Sequence, residues 1–320
     1  MTRTTMLSAI ALGTMLALPG WALAGATASS ELKDSWGETT KTSAQSVVDG
    51  DPATGWVEGN ENDGTGEWIE LDLPRGTLTS FTVIVGMGPD EEAFKRYARP
   101  KQIDIDIFSL DDAQNPVQVK QVTHTFEDKY GPVTIPTEEC KIGEELWGGK
   151  AKFTIRSIYP GTDFDTLTAI SEIQATFKEQ DAYSAVIELS SGEGSKDKLV
   201  DDKTSTAWIA AGGAEEWVTV EAVDWSISSL GIFPGHGSSS GNFATYSRPK
   251  TVEITVNMES FTHVLEDKRE MQWIPLPISG GYNGSAYGEV RIQVKDVYAG
   301  KSKSEVAISE IKLRAINYGG

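Results

Sequence analysis

The chain has 320 residues, with 47 Asp and Glu against 28 Lys and Arg and a formal net charge of −19. A field of that sign repels polyanions, which excludes a nucleic-acid partner of the usual basic-patch kind and fits a soluble protein working outside the cell. The single cysteine, Cys140, allows no intrachain disulfide, so each domain must stand on its own hydrophobic core.

Residues 1–24 read as a secretory signal peptide. Arg3 supplies a short positive region, Met6 to Leu18 is an apolar run too short to span a bilayer, and Ala22-Leu23-Ala24 gives the small-residue cleavage pattern. No cysteine follows that site to carry a lipid, and no later run of about 20 apolar residues predicts a transmembrane segment. The expected location is secreted or periplasmic.

Beyond the leader, strands dominate. Ile69, Leu71 and Leu73 alternate with Glu70 and Asp72; Ile103, Ile105 and Ile107 alternate with Asp104 and Asp106; Phe153 and Ile155 alternate with Thr154 and Arg156. Val252, Ile254 and Val256 repeat the pattern, as do Val290, Ile292 and Val294, and then Ile311 and Leu313. Period two with one polar face predicts antiparallel strands packed on one side, and no long amphipathic helix interrupts them. The fold class is all-β, with antiparallel β-sandwich or jelly-roll domains.

The chain also repeats itself. Val48-Asp49-Gly50-Asp51-Pro52-Ala53-Thr54-Gly55-Trp56 returns as Val200-Asp201-Asp202-Lys203-Thr204-Ser205-Thr206-Ala207-Trp208, and Glu67-Trp68-Ile69 returns as Glu216-Trp217-Val218. Tyr97-Ala98-Arg99-Pro100-Lys101 returns as Tyr246-Ser247-Arg248-Pro249-Lys250. Thr123-His124 with Glu127-Asp128-Lys129 returns as Thr262-His263 with Glu266-Asp267-Lys268. Ile158-Tyr159-Pro160-Gly161 and Ile170-Ser171-Glu172-Ile173 return as Val297-Tyr298-Ala299-Gly300 and Ile308-Ser309-Glu310-Ile311. The order is kept over a separation far longer than a solenoid repeat, so a whole domain is duplicated. The expected domains are 25–178 and 182–317, joined by the short polar stretch Lys178–Ala182.

Three features carry the chemistry. Asp49, Asp51 and Thr54 place hard oxygens at i, i+2 and i+5 of a glycine-containing turn; they can wrap a cation or simply close an Asx turn. The loops before Tyr97 and Tyr246 break strand patterning and mix aromatic with polar side chains. Phe94, Tyr97, Arg99, Phe233, His236, Tyr246 and Arg248 are therefore the candidate ligand contacts, with ordinary surface loop as the alternative. Trp56, Trp68, Trp208 and Trp217 recur at matching positions, which favours a core role over sugar stacking.

The blocks Asp49–Trp56, Gly64–Glu70, Arg99-Pro100-Lys101 and Ile170–Ile173 together resemble the discoidin and galactose-binding-like domains. Within them the chain is similar to the glycan-binding module of secreted bacterial NAD glycohydrolases, over nearly all of the first copy and more weakly over the second. The resemblance implies an eight-stranded jelly roll, a structural calcium, and glycans or glycoconjugates bound by loops at one end. It also implies the metal ligands: Asp49, Asp51 and Thr54, with Glu172 as the remote carboxylate and Ser171 as the carbonyl beside it. Ala98 and Ser247 depart from the asparagine usual before Arg-Pro-Lys. In the second copy Lys203 replaces Asp51, so its ammonium is expected to stand where the cation would, near Asp201 or Glu310, unless Asp202 takes over from Asp51 and metal still binds.

No Gly-x-Ser-x-Gly elbow, His-Glu-x-x-His helix or Gly-Lys-Ser/Thr phosphate loop is present, and His124 and His263 recur as fold residues. Asn283-Gly284-Ser285 fits the glycosylation pattern. The expected function is a non-enzymatic carbohydrate-binding protein with calcium in the first domain. The alternatives are an extracellular protein-interaction module and a glycoside hydrolase built on a carboxylate pair.

Overall fold

A computed structural model describes residues 25–33, 42–60, 62–88, 90–143, 147–182, 184–222, 227–256, 259–276 and 288–316. The leader and Asn283-Gly284-Ser285 lie outside the described residues. The first repeat runs through β1 (Ala26–Ala28), β2 (Trp56–Val57), β3 (Trp68–Leu73), β4 (Gly76–Val85), β5 (Tyr97–Leu110), β6 (Pro116–Thr125), β7 (Val133–Ile142), β8 (Gly149–Tyr159) and β9 (Phe164–Phe177). After β10 (Glu179–Ala182), the second runs through β11 (Ala185–Leu189), β12 (Trp208–Ile209), β13 (Trp217–Ala222), β14 (Ile227–Pro234), β15 (Arg248–Val256), β16 (Glu259–Val264), β17 (Gln272–Pro275), β18 (Gly288–Tyr298) and β19 (Ala307–Ile316).

In the first domain β1-β3-β8-β5-β6 form one layer, and β9, flanked by β4 and β7 on one side and β2 on the other, forms the second. A short parallel contact between β5 and β9, Tyr97 opposite Phe164 and Ala98 opposite Thr168, joins the two layers at one end. The second domain repeats the plan with β11-β13-β18-β15-β16 facing β10-β19-β14-β17 and β12. The parallel bridge Ser247–Val306 takes the place of the β5–β9 contact. Two one-turn helices, α1 (Glu91–Arg96) and α2 (Ser240–Thr245), precede β5 and β15. Asp90 and Ser239 cap them by accepting from the Ala93 and Asn242 amides.

The two faces of each strand follow the alternation in the sequence. In β3, Ile69, Leu71 and Leu73 are buried while Trp68, Glu70 and Asp72 turn outward. Each sandwich closes on its own core: Phe81, Ile103, Ile105 and Phe153 in the first, Leu230, Ile254, Ile292 and Leu313 in the second. Trp56 and Trp208 have no exposed surface, and their indole N–H groups donate to the Ser30 and Ser191 carbonyls at 2.7 and 2.8 Å. Burial with a satisfied donor is the condition under which tryptophan serves a core.

Trp68 and Trp217 are not core residues. Both are only half-buried on the outward face, with the Lys152 ammonium 4.3 Å and the Arg291 guanidinium 3.8 Å from their rings. The join is also more ordered than a linker: β10 pairs antiparallel with β19 from Glu179–Ile316 to Ala182–Leu313. At the end of β19, Ile316 is buried among the first domain's core residues, so the last strand of one repeat packs against the other.

Candidate functional site

The Asp49–Trp56 loop lies over the middle of β9. It is held by its own polar groups: the Asp51 amide donates to Asp49 Oδ1 at 2.8 Å, and the Ala53 amide to Asp51 Oδ1 at 2.9 Å. The Thr54 hydroxyl donates to Asp49 Oδ2 at 2.7 Å. Gly50 adopts φ +77, which aims its amide at Glu172 Oε2, 3.1 Å away. Gly55 lets the loop touch the strand, because a Cβ there would stand 2.6 Å from the Ile170 carbonyl oxygen and 2.8 Å from Ser171 Cα. The Ser171 hydroxyl is buried and donates to the Gly86 carbonyl at 2.9 Å.

The structure thus gathers Asp49, Asp51, Thr54, Ser171 and Glu172, but not as a ready-made carboxylate cage. Among the described residues no group of three or more His, Cys, Asp and Glu side chains is placed to hold a metal by itself. A cation here needs hydroxyl, amide and main-chain oxygens as well, which is ordinary for calcium. Two features of this face bear on a cation. Glu172 is 2% exposed, and burial, reinforced by the negative charges of Asp49 and Asp51, pushes its carboxyl up to about 8. Two positions along β9, Gln174 is 9% exposed and its Oε1 atom has no hydrogen-bond partner among the described residues.

The second domain keeps the turn and changes the charges. Asp201 accepts from the Lys203 amide and from the Thr206 hydroxyl, and Glu310 accepts from the Lys203 amide at 3.0 Å. Burial, opposed by the Asp202 and Lys203 amides, raises the Glu310 carboxyl to about 7. The Lys203 ammonium does not fill the cation position. Its side chain is exposed and makes no ion pair among the described residues; only its main chain reaches Asp201 and Glu310. Lys312 from β19 bonds Asp202 Oδ1 instead, at 2.6 Å.

The loop ends divide the expected ligand contacts into two kinds. Phe94 is 1% exposed, with its ring edge-on to Tyr130 and the Arg99 guanidinium 5.0 Å above it. Arg99 is 4% exposed and forms a fork with Asp128, 2.8 and 3.0 Å, while its third nitrogen donates to the Tyr97 carbonyl. Arg248 does the same with Asp267, 2.6 and 2.9 Å, under the Phe243 ring. Phe233 is buried beneath the backbone of Gly237. These four side chains hold the loops in shape and present no free face to a ligand, which corrects the expectation for Phe94, Arg99, Phe233 and Arg248. Tyr97, His236 and Tyr246 remain partly open. Tyr97 stacks on Phe164 at 4.7 Å and His236 on Tyr246 at 5.8 Å, both nearly parallel. Burial, with Lys198 nearby, keeps the His236 imidazole below its ordinary pKa.

Phe164, Gln174 and Lys312 escaped the sequence reading. Phe164 belongs to no repeated block. Gln174 and Lys312 directly follow the repeated Ile-Ser-Glu-Ile, so their difference was visible but had no assigned direction. The Arg99–Asp128 and Arg248–Asp267 pairs had a signal too, since both partners lie in blocks that recur together.

A comparison with curated proteins found no match. Among solved structures, the chain is similar to CpGH89CBM32-5 from Clostridium perfringens, in complex with GalNAc-β-1,3-galactose, at 17% identity and a TM-score of 0.34, covering 47% of this chain and 93% of that one. It is similar to the tandem CBM32-1 and CBM32-2 domains of Clostridium perfringens ZmpB, in complex with GalNAc, at 11% identity and a TM-score of 0.34, covering 92% and 90%. It is also similar to a fucolectin from striped bass (Morone saxatilis) serum, at 13% identity and a TM-score of 0.30, covering 94% and 97%. The model of the NAD glycohydrolase translocation F5/8 type C domain matches residues 20–178 and again 174–314, and with almost the whole length accounted for in two segments, the chain belongs to this family.

Proposed function

We propose that this protein is an exported, non-catalytic glycan-binding protein whose first domain is stabilised by calcium. The observation that carries the reading is the pair of equivalent tyrosines, Tyr97 and Tyr246. Each stands after a capped helical turn at the loop end of its sandwich and stacks face to face on a second ring. A planar apolar face beside polar groups is what a pyranose needs, its C–H face on the ring and its hydroxyls on neighbouring donors. In the second domain Asn242 and Ser238 are exposed beside His236 and supply such donors. The rings are preorganised by Arg99 and Arg248, whose guanidinium groups bond the Tyr97 and Tyr246 carbonyls.

The buried carboxylates support a non-catalytic reading, because each serves a loop. Glu58 accepts from the Asn60 and Thr168 amides, and Glu172 and Glu310 accept from the metal-type turns. Calcium would supply positive charge to the Asp49, Asp51 and Glu172 oxygens and tie the loop to β9; those residues, with Thr54 and main-chain carbonyls, would hold it. Export rests on the sequence of residues 1–24.

A glycan array with the chain lacking its leader tests the proposal. Retention on a defined sugar set is expected, and its loss in the Tyr97→Ala, Tyr246→Ala double variant with little change in melting temperature. Unchanged retention by the double variant would place the site elsewhere.

A further inference from the structure

The two domains meet the same electrostatic problem differently, and one strand position marks the difference. Strand pairing makes Gln174 and Lys312 equivalent: Glu172 lies opposite Ile84 and Gln174 opposite Thr82, while Glu310 lies opposite Phe233 and Lys312 opposite Gly231. Ile173 and Ala175 point into the first core, so Glu172 and Gln174 share the face beneath the loop. In the second domain the side chain from this position reaches the loop, since the Lys312 ammonium is 2.6 Å from Asp202 Oδ1. It lines a cleft of about 280 Å³ together with Glu310 and Asp181.

The loop has changed in step. Asp202 stands where the first domain has Gly50, and keeps the left-handed backbone, φ +60 against +77. Aspartate is among the few non-glycine residues that adopt this conformation readily, and its carboxylate is the group that Lys312 meets. The first domain has no lysine at this position. It has the three carboxylates Asp49, Asp51 and Glu172, and a buried amide oxygen, Gln174 Oε1, without a donor among the described residues. Such an oxygen is costly unless a hydrogen or a cation meets it.

We propose that this position decides the source of positive charge: Gln174 Oε1 faces a divalent cation taken from solution, whereas the Lys312 ammonium is the second domain's built-in cation. The inference rests on the calcium reading of the first loop and adds that the second domain is metal-independent because of Lys312, not Lys203.

The test uses the full chain without its leader. Calcium is titrated calorimetrically, and unfolding is followed in chelator and in calcium. The wild type is expected to bind one calcium ion, Gln174→Leu to bind it about ten- to a hundredfold more weakly, and Gln174→Lys to bind none. Lys312→Met should lower the stability of the chelated protein, and Lys203→Met should not. Wild-type affinity in Gln174→Lys would overturn the inference while leaving the calcium reading intact. Failure of the wild type to bind calcium would overturn the calcium reading and the Gln174 half with it. The Lys312 half is then decided by its own arm: equal stability of Lys312→Met and Lys203→Met in chelator would overturn it.

Discussion

Replacing Glu172 by Gln should make the metal-free protein more stable in alkaline solution. The carboxylate is 2% exposed and lies close to the charges of Asp49 and Asp51, and its pKa rises from 4.5 to about 8. For an acid the sign is unfavourable. Below pH about 4.5 Glu172 is protonated in both folded and unfolded chains and contributes no penalty. As pH rises, the unfolded chain ionises freely while the folded one resists, and the penalty is complete above about 8. A shift of ~3.5 units at 1.36 kcal/mol per unit sets an upper bound of ~5 kcal/mol. The amide of Gln can still accept from Gly50 and does not titrate, so the variant should lack this fall in stability. Denaturant unfolding in chelator, from pH 5 to 9, reads the difference directly. Wild type and variant should converge toward pH 5, and the variant should be the more stable at pH 9. Calcium should reverse the order, because the ionised carboxylate binds a cation more tightly than the neutral amide, so the folded wild type gains more stability than the variant. Parallel pH profiles in chelator would refute the account of Glu172 as a carboxylate with an unmet charge.

Asp128→Ala should destabilise by about 2 kcal/mol, because it strands the nearly buried Arg99 with only carbonyl partners, although solvent reaches part of Asp128. A double-mutant cycle in denaturant unfolding should show coupling between Asp128→Ala and Arg99→Leu. Trp56→Ala should cost about 3–5 kcal/mol, whereas Trp68→Ala on the outward face should cost far less; chemical denaturation separates them. Gly55→Ala should cost about 1–3 kcal/mol and weaken calcium binding, because its Cβ meets the Ile170 carbonyl. The reverse change at the equivalent position, Ala207→Gly, should cost less in the same assay.

Local periodicity made the sandwich legible, and its failures are instructive in the same terms. The alternation that buries Ile69, Leu71 and Leu73 also dictates that Trp68 points outward. The recurrence of the Glu-Trp block suggested core because it was weighed ahead of strand face. Phe94 and Arg99 looked like a binding pair because they share a loop with Tyr97. What assigns them is Asp128, 29 residues further along and carried in by the turn after β6. Spacing along the chain does not disclose that contact, although the joint recurrence of Arg248 and Asp267 hinted at it.

The cation of the second domain shows where sequence reasoning needs a fold. A lysine inside a carboxylate loop looks like the neutralising charge, because it is nearest in sequence. In the folded chain the loop's backbone turns the Lys203 amide inward to Asp201 and Glu310, and this leaves its side chain in solvent. The strand beneath shows alternate residues on one face, and Lys312, two beyond Glu310, reaches the loop from there. Gln174 holds the equivalent register position in the first domain. The duplication therefore works as a comparison: the turn, the glutamate and the threonine are retained, while Gly50, Asp51 and Gln174 give way together to Asp202, Lys203 and Lys312, and a strand with an orphan amide oxygen becomes one whose ammonium pairs with the loop.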